Sequence, residues 1–149
     1  MTAAVSPTTI RFIGTLTALM LFSVGLLHVY WAAGGLWGSS VTIPTRNHEP
    51  LFQPSTFATL IVAVLLFAAG SIILGRAGSW GGGLPRWPFA IGAWVLTAVF
   101  AARVVGDFRW IGVFKAYLSS DFASWDTWLF VPLCAVIALG CGIVAYAGD

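Results

Sequence analysis

Four long apolar stretches dominate this chain, and each contains almost no charged residue. They lie at about residues 12–35, 57–75, 87–106 and 128–147. A helix needs about 20 predominantly apolar residues to cross ~30 Å of hydrocarbon. The alternation of period two that marks the strands of a membrane barrel is absent from them. The sequence therefore predicts an all-α, polytopic membrane protein folded as a bundle of four transmembrane helices.

The composition excludes most other classes of protein. Only 8% of the 149 residues are charged, whereas a soluble domain has about 25%. The net charge is only +2 and the chain contains no run of basic residues, so nucleic-acid binding is not expected. We predict that residues 1–11 form a polar leader and that residues 12–149 form one membrane domain. A retained first span is favoured over a cleaved signal peptide, because the apolar run exceeds the ~7–15 residues of a signal core.

The loops between the predicted spans are unequal in length. With four spans, the two longer loops, at about residues 35–56 and 107–127, must lie on one face of the membrane, opposite both termini. Lys and Arg are enriched in cytoplasmic loops. Arg11, Arg76 and Arg86 flank the leader and the short connector, whereas Arg46, Arg103, Arg109 and Lys115 lie on the other side, so this count alone leaves the orientation open. We expect a multi-pass protein of the cell membrane with cytoplasmic termini.

Polar side chains gather at the ends of the first and third spans. His28 and Arg103 lie near the ends of helices that run in the same direction, so a rise of ~1.5 Å per residue places them at similar depth. Asp107 follows Arg103 by four residues, and we predict that the two form an ion pair. With Trp31 and Arg109, these residues predict a ligand-binding pocket that opens toward the longer loops.

Two interpretations of this cluster remain open. In the functional one, His28 titrates near neutral pH or binds a ligand, Arg103 holds an anionic or carbonyl group, and Asp107 orients either of them. In the structural one, a buried ion pair and a histidine tie the helices together. The sequence does not decide between them.

No metal site or cofactor is indicated by the sequence. His28 and His48 lie on different elements, and no cluster of Cys, His or carboxylate residues has ligand spacing. Cys134 and Cys141 are seven residues apart, or ~10 Å along a helix, which is too far for a disulfide. We interpret them as packing residues.

Three functions are compatible with this pattern. The first is a non-catalytic membrane protein that binds a small amphipathic ligand, a partner subunit or a second copy of itself through the face of the longer loops. The second is an integral membrane enzyme acting on a quinone, isoprenoid or sterol-like substrate, with His28 and Asp107 as catalytic residues. The third, transport of a small solute or protons, is disfavoured because no ionisable residue lies at mid-membrane in the second or fourth span.

Five sequence strings in a fixed order give the chain a recognisable pattern. They are HVYWAAGGLWG at residues 28–38, IPTR at 43–46, LFQPSTFATLIVA at 51–63, RVVGDFRWIGVFK at 103–115 and FASWDTWLFVPLC at 122–134. In this order they resemble the bacterial membrane family catalogued as domain of unknown function 3995. The resemblance implies a four-helix integral membrane protein and carries no assigned reaction.

Overall fold

Four helices, each long and apolar enough to cross a membrane, make up most of the part of the chain that the structure describes. The structure is a computed structural model that describes residues 5–47 and 49–148. The helices are α1 (Pro7–Ala32), α2 (Thr56–Arg76), α3 (Trp87–Val105) and α4 (Asp121–Ala147). Residues 1–4 of the predicted leader and His48 lie outside the described residues. The all-α four-helix bundle expected from the sequence is confirmed.

The helix starts follow ordinary capping chemistry. The hydroxyl oxygens of Ser6, Ser55 and Ser120 each accept a hydrogen bond from a backbone N–H of the first turn of α1, α2 or α4. Such a cap satisfies a donor that has no partner within the helix. Pro7 follows Ser6 at the start of α1, where its missing N–H costs nothing. These caps explain why α1 and α4 begin earlier than the apolar runs alone predict.

The fourth helix changes its winding before Pro132. It is α-helical over Asp121–Trp125, π-helical over Asp126–Phe130 and α-helical again over Val131–Ala147. Proline lacks an N–H, and its ring clashes with the carbonyl of the preceding turn. A single wider turn is a known way of absorbing such an interruption, and π turns are frequent at functional sites.

The helices pack in a fixed order around a small apolar core. The most extensive contacts are between α1 and α2 and between α3 and α4; α1 also packs on α4, and α2 packs on α3. Helices α1 and α3 therefore lie diagonally across the bundle. The core is formed by buried residues from all four helices, including Leu21, Ile73, Ala93 and Val144. Large apolar side chains such as Leu26 and Leu139 point outward, as expected of surfaces that face lipid.

Arginines close the ends of two helices at the short connector. Arg86 donates hydrogen bonds to the carbonyl oxygens of Gly75, Arg76 and Gly148, at 3.2, 3.0 and 3.1 Å. Arg76 donates to the carbonyl oxygen of Ala145 at 3.0 Å. The last carbonyls of a helix lack intrahelical partners and carry the negative end of its dipole, so cations stabilise them. These two arginines join the carboxyl ends of α2 and α4.

The two longer loops meet on the opposite face. The first contains a 3-10 turn (Ser39–Val41) and a short hairpin in which β1 (Thr45–Arg46) pairs antiparallel with β2 (Glu49–Pro50). A polar groove on this face is lined by residues of this hairpin and by residues of the second loop. The prediction that both longer loops share one face is therefore confirmed.

Candidate functional site

The second long loop begins with a tight turn that folds back onto the end of α3. The Oδ1 atom of Asp107 accepts hydrogen bonds from the backbone N–H groups of Arg109, Trp110 and Ile111, at 2.9, 2.7 and 3.0 Å. The N–H of Val113 donates to the carbonyl oxygen of Val104 at 2.8 Å, which satisfies one of the last carbonyls of the helix. Asp107 is thus the acceptor that holds this turn together.

The turn depends on glycine at both of its ends. Gly106 and Gly112 have φ angles of 89° and 86°, a region that residues with a Cβ rarely adopt. The two backbones also touch, because a Cβ added to Gly106 would overlap the carbonyl oxygen of Ile111. The sequence from Gly106 to Gly112 therefore specifies one compact backbone shape.

Hydrogen bonding also favours the ionised form of Asp107. Partial burial by itself raises the pKa of this carboxyl, but the N–H donors of Ile111, Trp110 and Arg109 stabilise its ionised form and lower the pKa below 3.8. The carboxylate stays charged at neutral pH. It is a fixed acceptor for the loop and not a group poised to exchange protons.

A second carboxylate, Asp126, lies at the centre of a buried ionic network. Its Oδ1 accepts from Arg103 Nη2 at 2.6 Å, and its Oδ2 accepts from the Gly112 N–H at 2.9 Å and from Lys115 Nζ at 3.1 Å. Lys115 Nζ also donates to the Gly112 carbonyl at 3.1 Å and to Thr127 Oγ1 at 2.7 Å. The side chain of Asp126 is 0% exposed and that of Lys115 is 3% exposed. The network ties α3, the second loop and the π turn of α4 together.

The predicted pairing of Arg103 with Asp107 is therefore wrong. Arg103 pairs with Asp126, and no ion pair joins it to Asp107 in the described ranges 5–47 and 49–148. Asp107 lies just past the end of α3 at Val105, so the i, i+4 geometry of a continuous helix does not hold there. Its carboxylate turns to the N–H groups of the loop instead.

The network contains more positive charge than negative. Arg103 and Lys115 together carry two positive charges against the one negative charge of Asp126. The Nη1 atom of Arg103 is buried and has no hydrogen-bond partner, although 27% of the side chain is exposed. A buried ion pair needs additional hydrogen bonds to offset the cost of desolvation. Asp126 and Lys115 each make several such hydrogen bonds, whereas Arg103 leaves Nη1 without one.

His28 and Trp31 lie in a different part of the bundle. The two rings meet edge to face, with 5.1 Å between their centroids. His28 Nδ1 lies 2.8 Å from the carbonyl oxygen of Val24. A carbonyl only accepts hydrogen bonds, so this nitrogen carries the proton and Nε2 is the acceptor of the neutral ring. Trp31 Nε1 donates to the Trp37 carbonyl oxygen at 2.8 Å and so fixes the indole beneath the first loop.

These two rings line a cavity of about 270 Å³ between α1, α2 and the first long loop. Most of its walls are apolar or aromatic, among them Ile43, Phe52 and Val62, and its polar groups are His28 and a few hydroxyls. None of the residues lining it belongs to α3 or to the second loop. His28 therefore does not share a pocket with Arg103 and Asp107, contrary to the prediction. The two halves of the predicted site are built by different helix pairs.

Arg109, the last of the predicted ligand-binding residues, lies on the exposed side of the second loop. Its guanidinium carbon is 5.7 Å from the centroid of the Trp110 ring. Trp110 in turn stacks on Tyr117, with 4.2 Å between centroids and 14° between planes. Arg109 thus lies over the Trp110 ring of this aromatic pair, and the structure does not bring it to His28.

No group of three or more His, Cys, Asp or Glu side chains that could hold a metal ion is found in the part of the chain that the structure describes. His48, the other histidine, lies outside that part. The thiols of Cys134 and Cys141 are free.

Asp126 and Lys115 are the residues that reasoning from sequence missed. The fourth helix was expected to start at residue 128, which left Asp126 in a loop. The signal that could have found it is charge balance. Arg103 needs a counter-ion near its own depth, and the stretch after the second loop supplies Asp126 directly before the apolar run.

With this geometry defined, comparison with known proteins gives one positive result. The family described as protein of unknown function (DUF3995) matches residues 20–141, and the chain belongs to this family. The resemblance inferred from the five strings is thereby confirmed. No curated protein and no solved structure matches the chain.

Proposed function

We propose that the chain is a non-catalytic, multi-pass protein of the cell membrane that binds a small amphipathic ligand in the His28 cavity. The observation that carries the proposal is the composition of that cavity, whose described lining is mostly apolar and includes the His28 imidazole and a few hydroxyls. Ligand pockets in proteins typically combine apolar walls with a few polar groups that orient the ligand. The partners of the protein are then the lipid bilayer and this ligand.

The dimensions of the cavity limit the ligand. Its volume of about 270 Å³ lies just below the ~300–1,000 Å³ common for ligand pockets. Phe52 and Val62 offer an apolar surface, while His28 is placed within the last two turns of α1. A ligand with a compact apolar body and one hydroxyl or amide donor fits this arrangement.

His28 contributes a hydrogen-bond acceptor to this ligand. Its Nδ1–H is committed to the Val24 carbonyl oxygen, and this bond fixes the tautomer that leaves Nε2 with a free lone pair. Among the described residues Nε2 has no hydrogen-bond partner, and it is not buried out of reach. A ligand O–H or N–H directed at Nε2 would complete the bonding of the ring.

Catalysis by His28 receives less support. A histidine acting as general acid or base is usually oriented by a neighbouring carboxylate. Asp107 was the predicted partner, but its Oδ1 accepts three loop N–H groups, and no carboxylate among residues 5–47 and 49–148 lines the cavity. Binding without turnover is therefore the function that the geometry favours.

Native mass spectrometry of the detergent-extracted protein, loaded with a total lipid extract of the expression host, tests this proposal. The wild-type chain should retain a bound small molecule, and His28→Ala should lose it. Ala58→Trp, which fills the cavity without removing the imidazole, should lose it too. Ser23→Ala is the matched control, because Ser23 makes the same kind of bond to the carbonyl four residues earlier but does not line the cavity.

Two results would overturn the proposal. One is equal retention of the ligand by wild type, His28→Ala and Ala58→Trp. The other is the absence of any bound molecule from wild type across repeated lipid-loaded preparations. Retention of a polypeptide in place of a small molecule would favour the partner-subunit alternative.

We also propose that both termini and the short connector are cytoplasmic. Arg11, Arg76 and Arg86 are on this side, and Arg46, Arg103, Arg109 and Lys115 are on the other. Because Arg103 and Lys115 are paired with Asp126, we give the first group more weight under the positive-inside rule. In a variant lacking the native cysteines, a membrane-impermeant maleimide should label Ser119→Cys in intact cells and should label Gly82→Cys only after lysis. The reverse pattern would invert the orientation.

A further inference from the structure

The polar groove between the two long loops is a second candidate site, independent of the His28 cavity. It has a volume of about 450 Å³. Its first wall is the β1–β2 hairpin, which contributes Arg46 and Asn47. Its second wall is the end of the second loop and the first residue of α4, which contribute Tyr117, Ser119 and Asp121.

The second wall is held in place by contacts outside the groove. Tyr117 is stacked on Trp110, and its N–H donates to the Arg109 carbonyl oxygen at 3.0 Å. Asp121 opens the first turn of α4, which is capped by the Ser120 hydroxyl accepting from the Ala123 N–H at 3.1 Å. The Tyr117 ring and the backbone at Asp121 are thus set before any ligand arrives, which lowers the entropic cost of binding.

Among the described residues that line the groove, one is a cation and one is an anion, and the two do not pair with each other. Within residues 5–47 and 49–148, the side chains of Arg46 and Asp121 form no ion pair and no hydrogen bond with any residue. Glu49 is the cross-strand neighbour of Arg46 in the hairpin, but it does not line the groove or form an ion pair with Arg46. A guanidinium and a carboxylate that share a groove without contact leave space for a ligand between them.

We propose that this groove binds a zwitterion, with the phosphate or carboxylate of the ligand at Arg46 and its primary ammonium at Asp121. Arginine binds planar or tetrahedral anions through paired N–H donors, and carboxylates accept charge-assisted hydrogen bonds from ammonium groups. The Tyr117 ring also favours a cation nearby, and the hydroxyl of Ser119 can accept or donate. Phosphoethanolamine, free or as a lipid headgroup, has this arrangement of charges.

Binding of phosphoethanolamine to the purified full-length chain, followed by ligand-observed NMR, tests the proposal. The wild-type chain should bind it, whereas ethanolamine alone and inorganic phosphate alone should bind at least about tenfold more weakly, because each loses one charge-assisted contact. Arg46→Gln and Asp121→Asn should each weaken phosphoethanolamine binding by a similar factor. Arg109→Gln is the matched control, because it removes an arginine of the same face that does not line the groove.

Two further samples identify the source of the zwitterion. Nanodiscs containing phosphatidylethanolamine and nanodiscs containing only phosphatidylcholine are compared for lipid retained after extraction. Binding of free phosphoethanolamine supports a soluble ligand, and selective retention of phosphatidylethanolamine supports a lipid headgroup; both outcomes require Arg46 and Asp121.

The proposal is overturned if neither probe binds. It is also overturned if phosphate alone binds as tightly as phosphoethanolamine, or if Arg109→Gln weakens binding as much as Arg46→Gln. If Asp121→Asn lowers the stability of α4 but leaves binding unchanged, Asp121 serves only the dipole of its helix, and the proposal fails.

Discussion

Replacing Asp126 by asparagine is the sharpest test of how the second loop is held to the bundle. One oxygen of the carboxylate accepts a hydrogen bond from Arg103, and the other accepts hydrogen bonds from Lys115 and the Gly112 N–H. Asparagine has one oxygen and one NH₂ group, so at least one of these donors must face another donor. The substitution keeps the size of the side chain, removes its charge and replaces one acceptor oxygen by an NH₂ donor.

The magnitude follows from the burial of the groups left behind. Asp126 is 0% exposed and Lys115 is 3% exposed, so the ammonium of Lys115 cannot turn to water when its counter-ion is removed. Removing one partner of a buried ion pair costs about 3–5 kcal/mol, and we expect Asp126→Asn to destabilise the protein by this amount. Arg103→Met should cost less, about 1.5–3 kcal/mol, because it removes one charged hydrogen bond and leaves Asp126 paired with Lys115.

Unfolding by sodium dodecyl sulfate in mixed micelles, followed by tryptophan fluorescence, measures these differences. Asp121→Asn is the control, since it makes the same chemical change at an exposed first-turn position of the same helix. It should cost at most about 0.3–1 kcal/mol, the contribution of an acidic residue to the helix dipole. A loss below about 1 kcal/mol for Asp126→Asn, or a larger loss for Arg103→Met, would refute the reasoning from burial.

Two more predictions concern the turn from Gly106 to Gly112. Gly106→Ala should lower the free energy of unfolding by at least about 1–3 kcal/mol, because its φ is 89° and the new methyl group would overlap the Ile111 carbonyl oxygen. Gly82→Ala, which has open space around it, should be nearly neutral in the same assay, and equal effects would contradict this account. The pKa of Asp107 lies below 3.8 in the folded protein. The stability that the Asp107 carboxylate contributes is therefore present above pH 3.8. It is lost as the pH falls through the lower pKa of the folded protein. The amide NMR signals of residues 109–111 should titrate in wild type with a midpoint below pH 3.8, and this titration should be absent from Asp107→Asn. A midpoint above pH 3.8 in wild type would show that these hydrogen bonds do not hold the carboxylate.

The apolar runs predicted the four helices well because membrane spans are defined by a one-dimensional property, continuous hydrophobicity. The second and third spans were placed within one residue of α2 and α3 at every boundary. The starts of α1 and α4 were missed because caps and polar first turns extend these helices beyond the hydrocarbon-like segment. The fourth span was expected to start at residue 128, whereas α4 already begins at Asp121 and continues through a π turn at Asp126–Phe130.

The candidate site was less predictable because it depends on which helices are neighbours. The sequence identified Arg103 as a costly charge, but a rule about residues four apart assigned it to Asp107. The actual partner, Asp126, is 23 residues away along the chain. Depth along a helix can be counted from the sequence, yet the side-by-side order of helices cannot. The expectation that His28 and Arg103 share a pocket failed at that step.

The diagonal arrangement of α1 and α3 leads to a last prediction, on the independence of the two regions. His28 contacts α1 and the cavity beside α2, while Asp126 contacts α3, the second loop and α4, and the two share no partner among the described residues. Effects of substitutions at separated sites without shared partners add to within about 0.3–0.5 kcal/mol. The stability loss of the double variant His28→Ala/Asp126→Asn should therefore equal the sum of the single losses. An interaction energy above about 1 kcal/mol would exceed the additivity expected of separated sites. It would show that the imidazole and the ionic network act as one unit. The sequence suggested such a unit, whereas the packing of the helices argues against it.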